Sequence, residues 1–393
     1  MSSKKTEIEA FRKEAETGNK KGQKPISADP VMSAIGSMKN RGFRQSSGGL
    51  NPTGASCIIT SEKGVDQLIG KCHRAVYYTK KGYEKTNPPD DITQIKFLVG
   101  TEIENGFQHH WQRQGILLEA NVRLRGNINP PDSPDGEMFV SGEVDALLRE
   151  HDCTPEGIVT NIRHDRAILV EMKTSRGHFA AKQVIGRGNK VYPAGQPKYD
   201  HVMQTSMYLH MRKKLEDHYE VEIPYALIVY ALVDSGQCNW FRIELSEGYE
   251  GDIIIYDKYG NLVEPLTTGD MKLAGDDLKP IGGLSIDNIR ARYQVCQDKL
   301  EAEEPPDRDF DLRYSDVKAT QYFENDLLSK TQYGKHQKDE KAWIGDWQCR
   351  FCDFRQECYP FDLLTGAVED GLMTPKQALS DLGFDSTHGG TAD

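Results

Sequence analysis

Ala167-Ile168-Leu169-Val170-Glu171-Met172-Lys173 is an apolar run that ends in an acid and a base one residue apart. Its length and composition are those of a buried strand, and strand alternation places Glu171 and Lys173 on the same face. Upstream, Ser141-Gly142-Glu143-Val144-Asp145-Ala146-Leu147 carries a further acid, Asp145, inside a second hydrophobic run. Buried carboxylates are costly unless they are paired or hold a cation, so a hard divalent ion, Mg2+ or Mn2+, is the natural partner of Asp145 and Glu171. With such an ion in place, Lys173 would orient or deprotonate an attacking water, which is the chemistry of metal-assisted phosphodiester hydrolysis. A lone E-x-K also reads as a structural ion pair at a strand end, so the neighbouring elements decide.

Outward from this strand the hydrophobic period changes several times. Ile92, Ile95, Val99, Ile103, Phe107 and Trp111 recur at three or four residues and describe one face of a helix ending near Gln114. Residues 138–148 and 167–172 read as strands separated by a loop with Pro155, Glu156 and Gly157. A helical pattern returns over 198–215, with Val202, Met203, Ser206, Leu209 and Leu215 inward. On that helix Gln204 and Tyr208 lie one turn apart, where they would meet a phosphate or the nucleophilic water. Strands are predicted over 225–233 and 240–245, a hairpin at Tyr259-Gly260-Asn261, and an amphipathic helix through Ile286, Ile289, Tyr293, Cys296 and Leu300. This order predicts an α/β fold, a mixed sheet flanked by helices.

With 393 residues the chain has room for two or three domains, or one elaborated domain, at about 150 residues each. Its net charge of −11, from 49 basic and 60 acidic side chains, argues against coating nucleic acid by bulk charge and leaves room for a local basic channel. No apolar run approaches the roughly 18 residues of a membrane span, and the polar N-terminus lacks a signal-peptide core, so membrane and secreted classes are disfavoured and a cytoplasmic place, in a prokaryote or phage-infected host, is expected. Eight cysteines are too few for a disulfide scaffold of this length. Residues 1–60 are expected to form a basic, flexible arm, since residues 1–48 carry a local net charge of +5, and residues 361–393 an acidic, partly disordered tail with a local net charge of −5.

Ahead of the Asp145 strand, the first helix carries Gly100-Thr101-Glu102-Ile103-Glu104. The order G-x3-E, G-E-V-D, E-M-K and Q-x3-Y resembles the RecB-type nucleases of the PD-(D/E)XK superfamily. The resemblance implies a restriction-endonuclease-like mixed central sheet flanked by helices and interrupted by long insertions. It also implies that Asp145, Glu171 and Lys173 serve metal and water, with Gln204 and Tyr208 beside them. Many members carry histidine four residues after the glycine; this chain has Glu104 there, itself a suitable ligand for Mg2+ or Mn2+. On a regular helix His109 and His110 point away from Glu104 and read as surface or packing residues.

Near the end of the chain, Trp347-Gln348-Cys349-Arg350-Phe351-Cys352-Asp353-Phe354-Arg355-Gln356-Glu357-Cys358 gives C-x2-C-x5-C in an aromatic frame. Three thiols do not complete a tetrahedral set, and Cys72, in Gly70-Lys71-Cys72-His73, is the candidate fourth, with His73 a weaker substitute. Such a set accepts either Zn2+ or a 4Fe-4S cluster. One cysteine before the nuclease motifs and three behind them resembles the iron-sulfur subgroup of this family, to which AddB and the CRISPR adaptation exonuclease belong, and that resemblance implies the cluster. Cys57, Cys153, Cys238 and Cys296 have no partner spacing and read as ordinary thiols.

Between Lys173 and Gln204 lies a basic, glycine-rich segment in which Lys182, Arg187 and Lys190 would neutralise phosphates and Tyr192 would stack on a base; a solvated loop is the bland alternative. Arg163, Arg166 and Arg176 flank the Glu171 strand and would favour an anionic substrate. No G-x-S-x-G elbow and no P-loop are present, so a separate helicase or recombination protein would supply any unwinding. The expectation is a nuclease domain over 61–360, with an insertion over about 246–341, acting as a metal-dependent exonuclease on single-stranded or end-opened DNA in repair, recombination or replication. By resemblance its polarity is 5′ to 3′. The competing expectation is a non-catalytic DNA-binding or assembly module that keeps the fold and the four-cysteine clamp.

Overall fold

The computed structural model describes residues 50–60, 66–85, 91–190, 192–246, 251–263, 284–338 and 344–359. The chain divides into two units, residues 1–45 with 90–95 and residues 46–89 with 96–393, and the architecture below is that of the larger one.

Its strands are β1 (Ser56–Thr60), β2 (Asp66–Gly70), β3 (Leu117–Asn127), β4 (Phe139–Arg149), β5 (Asp152–Cys153), β6 (Val159–Thr160), β7 (Ala167–Ser175), β8 (Ala226–Leu232), β9 (Cys238–Leu245) and β10 (Ile253–Asp257). Helices α1 (His73–Lys80), α2 (Asp91–Arg113), α3 (Gly177–Gln183), α4 (Tyr199–His210), α5 (Lys213–Tyr219) and α6 (Ile286–Glu301) are followed by α7 (Asp316–Glu324), α8 (Lys330–Lys338), α9 (Trp347–Arg350) and α10 (Arg355–Cys358).

Six strands form one mixed sheet in the order β10-β9-β8-β7-β4-β3. Only β7 and β8 run parallel within it, because α3, α4 and α5 fill the crossover that a parallel pair requires. Ala167 to Met172 are all buried, as a central strand covered on both faces must be. On one face α4 sets Met203, Met207 and Leu209 against Val144, Leu147 and Leu169, and Ile286, Ile289 and Tyr293 of α6 complete the core. On the other, Ile103, Phe107 and Trp111 of α2 cover Ala146, Leu148, Ile168, Val170 and Met172. The expected mixed α/β sheet flanked by helices is therefore present. Among the described residues, no helix is long and apolar enough to cross a membrane.

One expected boundary needs correction. The flexible arm was expected to reach residue 60, yet Leu50 bridges Val140, and Cys57 and Ile59 of β1 are fully buried. Apolar burial therefore fixes residues 50–60 within the fold; residues 1–49 lie outside the described residues. The expected insertion, over about 246–341, contributes to the architecture where it is described. β10 extends the sheet, and α6 packs against β1 through its apolar stripe. The predicted hairpin at Tyr259-Gly260-Asn261 is a tight turn after β10, where Asp257 Oδ1 accepts from the N–H groups of Tyr259 and Asn261. The tail over 361–393 lies outside the described residues.

Strand β3 was not anticipated. Its centre alternates exposed Asn121, Arg123 and Arg125 with buried Val122 and Leu124, the period-two pattern of a strand with one covered face.

Candidate active site

The site grows from a break in the sheet. Between β4 and β7 the ladder runs from Arg149 opposite Ala167 to Ala146 opposite Val170 and stops there. The next pair in that register would be Asp145 and Glu171. There the Asp145 carboxylate, through Oδ2, accepts the Met172 N–H at 2.5 Å, replacing a backbone partner with a side chain. Parting the strands lets helices from both faces reach the same point.

From one face comes α2. An added Cβ at Gly100 would sit 3.0 Å from Thr174 Oγ1, so this glycine lets the helix lie close against the end of β7. One turn later Glu104 accepts from Gln108 Nε2 at 3.2 Å, and the same amide reaches the Asp145 carbonyl at 2.8 Å. Gln108 was not singled out from the sequence. Its signal was the four-residue spacing from Glu104, the same spacing that drew attention to Gln204 and Tyr208.

From the other face comes α4. Lys173 Nζ donates to Glu171 Oε1 at 2.6 Å and to Gln204 Oε1 at 3.1 Å, and Gln204 Nε2 donates to the same Glu171 oxygen at 2.7 Å. The Gln204 amide also reaches the Tyr208 hydroxyl at 3.2 Å, which donates to the Glu143 carbonyl at 2.9 Å. Gly142 makes room for this chain, since a Cβ there would lie 2.9 Å from the Tyr208 ring. Asp145, Glu171, Lys173, Gln204, Tyr208 and Glu104 thus form one neighbourhood.

Its electrostatics are unbalanced. Burial pushes the Glu171 carboxyl up to about 8, with Lys173 opposing and Asp145 adding to the rise. Burial and the Asp145 charge push Glu104 up to about 7, and burial also raises Asp145. Lys173 is drawn down by burial, but the charge and hydrogen bond of Glu171 together with the charges of Asp145 and Asp200 hold the ammonium above its ordinary value. An amine held in its charged form favours orienting a water over taking its proton. Three carboxyls crowd against one ammonium, and Glu171 Oε2 is buried with no partner among the described residues.

The thiols form a second centre. Cys72, Cys349, Cys352 and Cys358 line one cavity, framed by Tyr78, Phe354 and Tyr359. Burial pushes the Cys72 thiol up to about 12 and raises Cys349 and Cys352, with Cys358 adding to the rise at each. Residues 306–310, within the expected insertion, strap this cavity. Pro306 O accepts from Arg74 Nε at 2.6 Å, Asp309 Oδ2 takes the His73 N–H at 2.6 Å, and Arg308 donates to the Cys358 carbonyl at 2.8 Å. His73 meets Ser56 Oγ through Nε2 at 3.0 Å and is not among the residues that line the cavity. Cys57 and Cys296 are buried, Cys153 and Cys238 exposed, and none of the four joins that lining. Among the described residues, no three His, Cys, Asp or Glu side chains already stand at ligand distance from a common point.

The remaining candidates divide. Lys182, Arg187 and Lys190 are exposed and Tyr192 is half-buried. Arg163 and Arg166 do not offer free charge near Glu171: they pair with Glu150, Asp152 and Glu222 around the start of β7, far along the strand from Lys173. Arg176 is exposed at the other end. Comparison with known proteins finds no matching family model, no matching curated protein and no matching solved structure.

Proposed function

We propose that the protein is a metal-dependent deoxyribonuclease with a restriction-endonuclease-like core of the RecB type, an exonuclease on single-stranded or end-opened DNA. The observation that carries this reading is the charge deficit around Glu171. Three carboxyls share one ammonium in a shielded space, and one carboxylate oxygen is left without a partner. A divalent cation supplies the missing charge.

Asp145, Glu171 and Glu104 would hold Mg2+ or Mn2+, which would supply the Lewis acidity that polarises a phosphodiester and acidifies a water. Lys173 orients that water or neutralises a phosphate oxygen as a charged donor. Gln204 fixes Glu171 and Lys173 together, and Tyr208 ties Gln204 to the β4 backbone. The four cysteines that line the second cavity would hold a thiolate-bound centre, a 4Fe-4S cluster with Zn2+ as the alternative, which would join α1 to the C-terminal turns and play a structural part. Polarity of 5′ to 3′ and a separate unwinding partner belong to the same reading.

The test is digestion of a linear single-stranded oligonucleotide with Mg2+ or Mn2+, comparing the unaltered protein with Glu171→Ala. Loss of digestion in the variant is expected. Equal digestion by both would remove the site, and no digestion by either would leave the fold as a binding module.

A further inference from the structure

Within a chain of net charge −11, the stretch from Thr174 to Tyr199 contains Arg176, Lys182, Arg187, Lys190 and Lys198 and no acidic residue. The structure ties this stretch down at its neck. Buried Asn239 donates from Nδ2 to the carbonyls of Val184 at 2.8 Å and Ala194 at 2.7 Å, using both of its amide hydrogens. Gln196 N–H closes the same neck on the Gln183 carbonyl at 2.9 Å. Gly186 and Gly195 meet there with φ of +80° and +77°, and an added Cβ at either would lie within 2.3 Å of backbone across the neck. Further along, the Tyr230 hydroxyl accepts the Lys198 N–H at 3.0 Å.

Tyr230 and Asn239 are not arbitrary anchors. Lys173 pairs with Tyr230 across β7 and β8, and Tyr230 pairs with Asn239 across β8 and β9. The three occupy one transverse row, so the anchor lies two strand spacings, about 10 Å, from the lysine of the site. The row that carries Lys173 therefore also sets the position of the basic segment.

Resting on the nuclease reading, we infer that this Asn239-anchored segment is the guide for the substrate strand: Lys182, Arg187 and Lys190 grip successive phosphates of single-stranded DNA as it leaves the carboxylate site. Asn239 is a positioning residue, acting through the loop it holds. A rigid neck keeps the ordering cost of the loop from being charged against each binding event.

Binding of a fluorescent oligo-dT, measured by anisotropy in EDTA across a salt series, tests the guide apart from any chemistry. Replacing Lys182, Arg187 and Lys190 together by alanine, all exposed positions, should reduce the magnitude of the salt slope by about 2 and lower affinity at 0.1 M salt by about 100-fold. Asn239→Leu should weaken binding while keeping the slope, because the charges remain and only their placement is lost. The triple variant should keep the melting temperature of the unaltered protein, because all three side chains are exposed. A triple variant with unchanged affinity and slope overturns the guide, as does an unaltered protein that fails to bind oligo-dT. Oligo-dT binding that depends on the three cations, in a protein that digests nothing, would sustain the guide and sink the nuclease reading alone.

Discussion

The Asp145 carboxylate accepts the Met172 N–H at 2.5 Å, at the point where β4 and β7 stop pairing as backbone. One side chain therefore has two tasks, closing the end of a ladder and contributing charge to the site.

Those tasks separate by substitution. Asp145→Asn keeps an acceptor for Met172 and removes a charge that burial disfavours. Unfolding free energy should stay within about 1 kcal/mol of the unaltered protein, whereas Asp145→Ala should cost about 1–3 kcal/mol by leaving a buried N–H unpaired. Both should lose DNA digestion. Denaturant unfolding of the two variants decides it; equal stability would show that the hydrogen bond does not close the ladder.

Glu171 and Lys173 should be strongly coupled. Lys173→Met leaves a buried carboxyl with Gln204 as its remaining partner, and Glu171→Gln takes from the ammonium the carboxylate it is hydrogen-bonded to. Each single change should cost about 3 kcal/mol, and the double variant clearly less than the sum. Additive losses in a double-mutant cycle would mean the pair is not the buried ion pair described above.

Gly142 and Gly100 differ in what surrounds them. A methyl at Gly142 meets the Pro52 ring at 2.8 Å and the Tyr208 ring at 2.9 Å, neither free to move, so Gly142→Ala should cost about 1–3 kcal/mol. At Gly100 the neighbour is the rotatable Thr174 hydroxyl at 3.0 Å. Gly100→Ala should leave stability nearly intact and reduce digestion by shifting Glu104. Thermal melts beside activity assays distinguish the two positions.

Cys72→Ser and Cys349→Ser should each lower the iron or zinc content of protein purified without oxygen and reduce its melting temperature by several degrees. An iron-sulfur centre absorbs near 400 nm, at roughly the thiolate-to-iron charge-transfer position, and d10 zinc does not. Metal-free protein with an unchanged melting curve would empty this site of meaning.

Burial holds the His201 imidazole down to about 3, with Asp200 opposing and Lys173 and Lys198 adding to the fall. Unfolded histidine titrates near about 6.5. Its contribution is complete above that pH and is lost as pH falls towards the folded value. His201→Gln keeps a polar partner for the Tyr230 hydroxyl and abolishes the titration. The stability advantage of the unaltered protein should shrink by roughly 1 kcal/mol per pH unit between about 6 and 4.5. A pH-independent difference between the two proteins would show that His201 is not held neutral.

The local elements were legible where one period ran uninterrupted. Ala167 to Met172 declared a strand covered on both faces, and Ile103, Phe107 and Trp111 marked the helix that covers one of them. Residues 50–60 misled because a polar, basic neighbourhood hides a short β1 whose alternate side chains are fully buried. Residues 306–310 carry no such period, and only the partners of Asp309 at His73 and of Arg308 at Cys358 set them beside the thiol cavity.

Residue order alone determined that Glu171 and Lys173 share a face and that Gln204 and Tyr208 share another, because side-chain direction within a strand or helix follows from its repeat. That Asp145 and Glu171 stand at the break between two strands, that α2 and α4 reach it from opposite faces, and that Asn239 holds the basic segment were decided by tertiary structure. Each depends on contacts between residues far apart in the chain, and no local period encodes a distant partner.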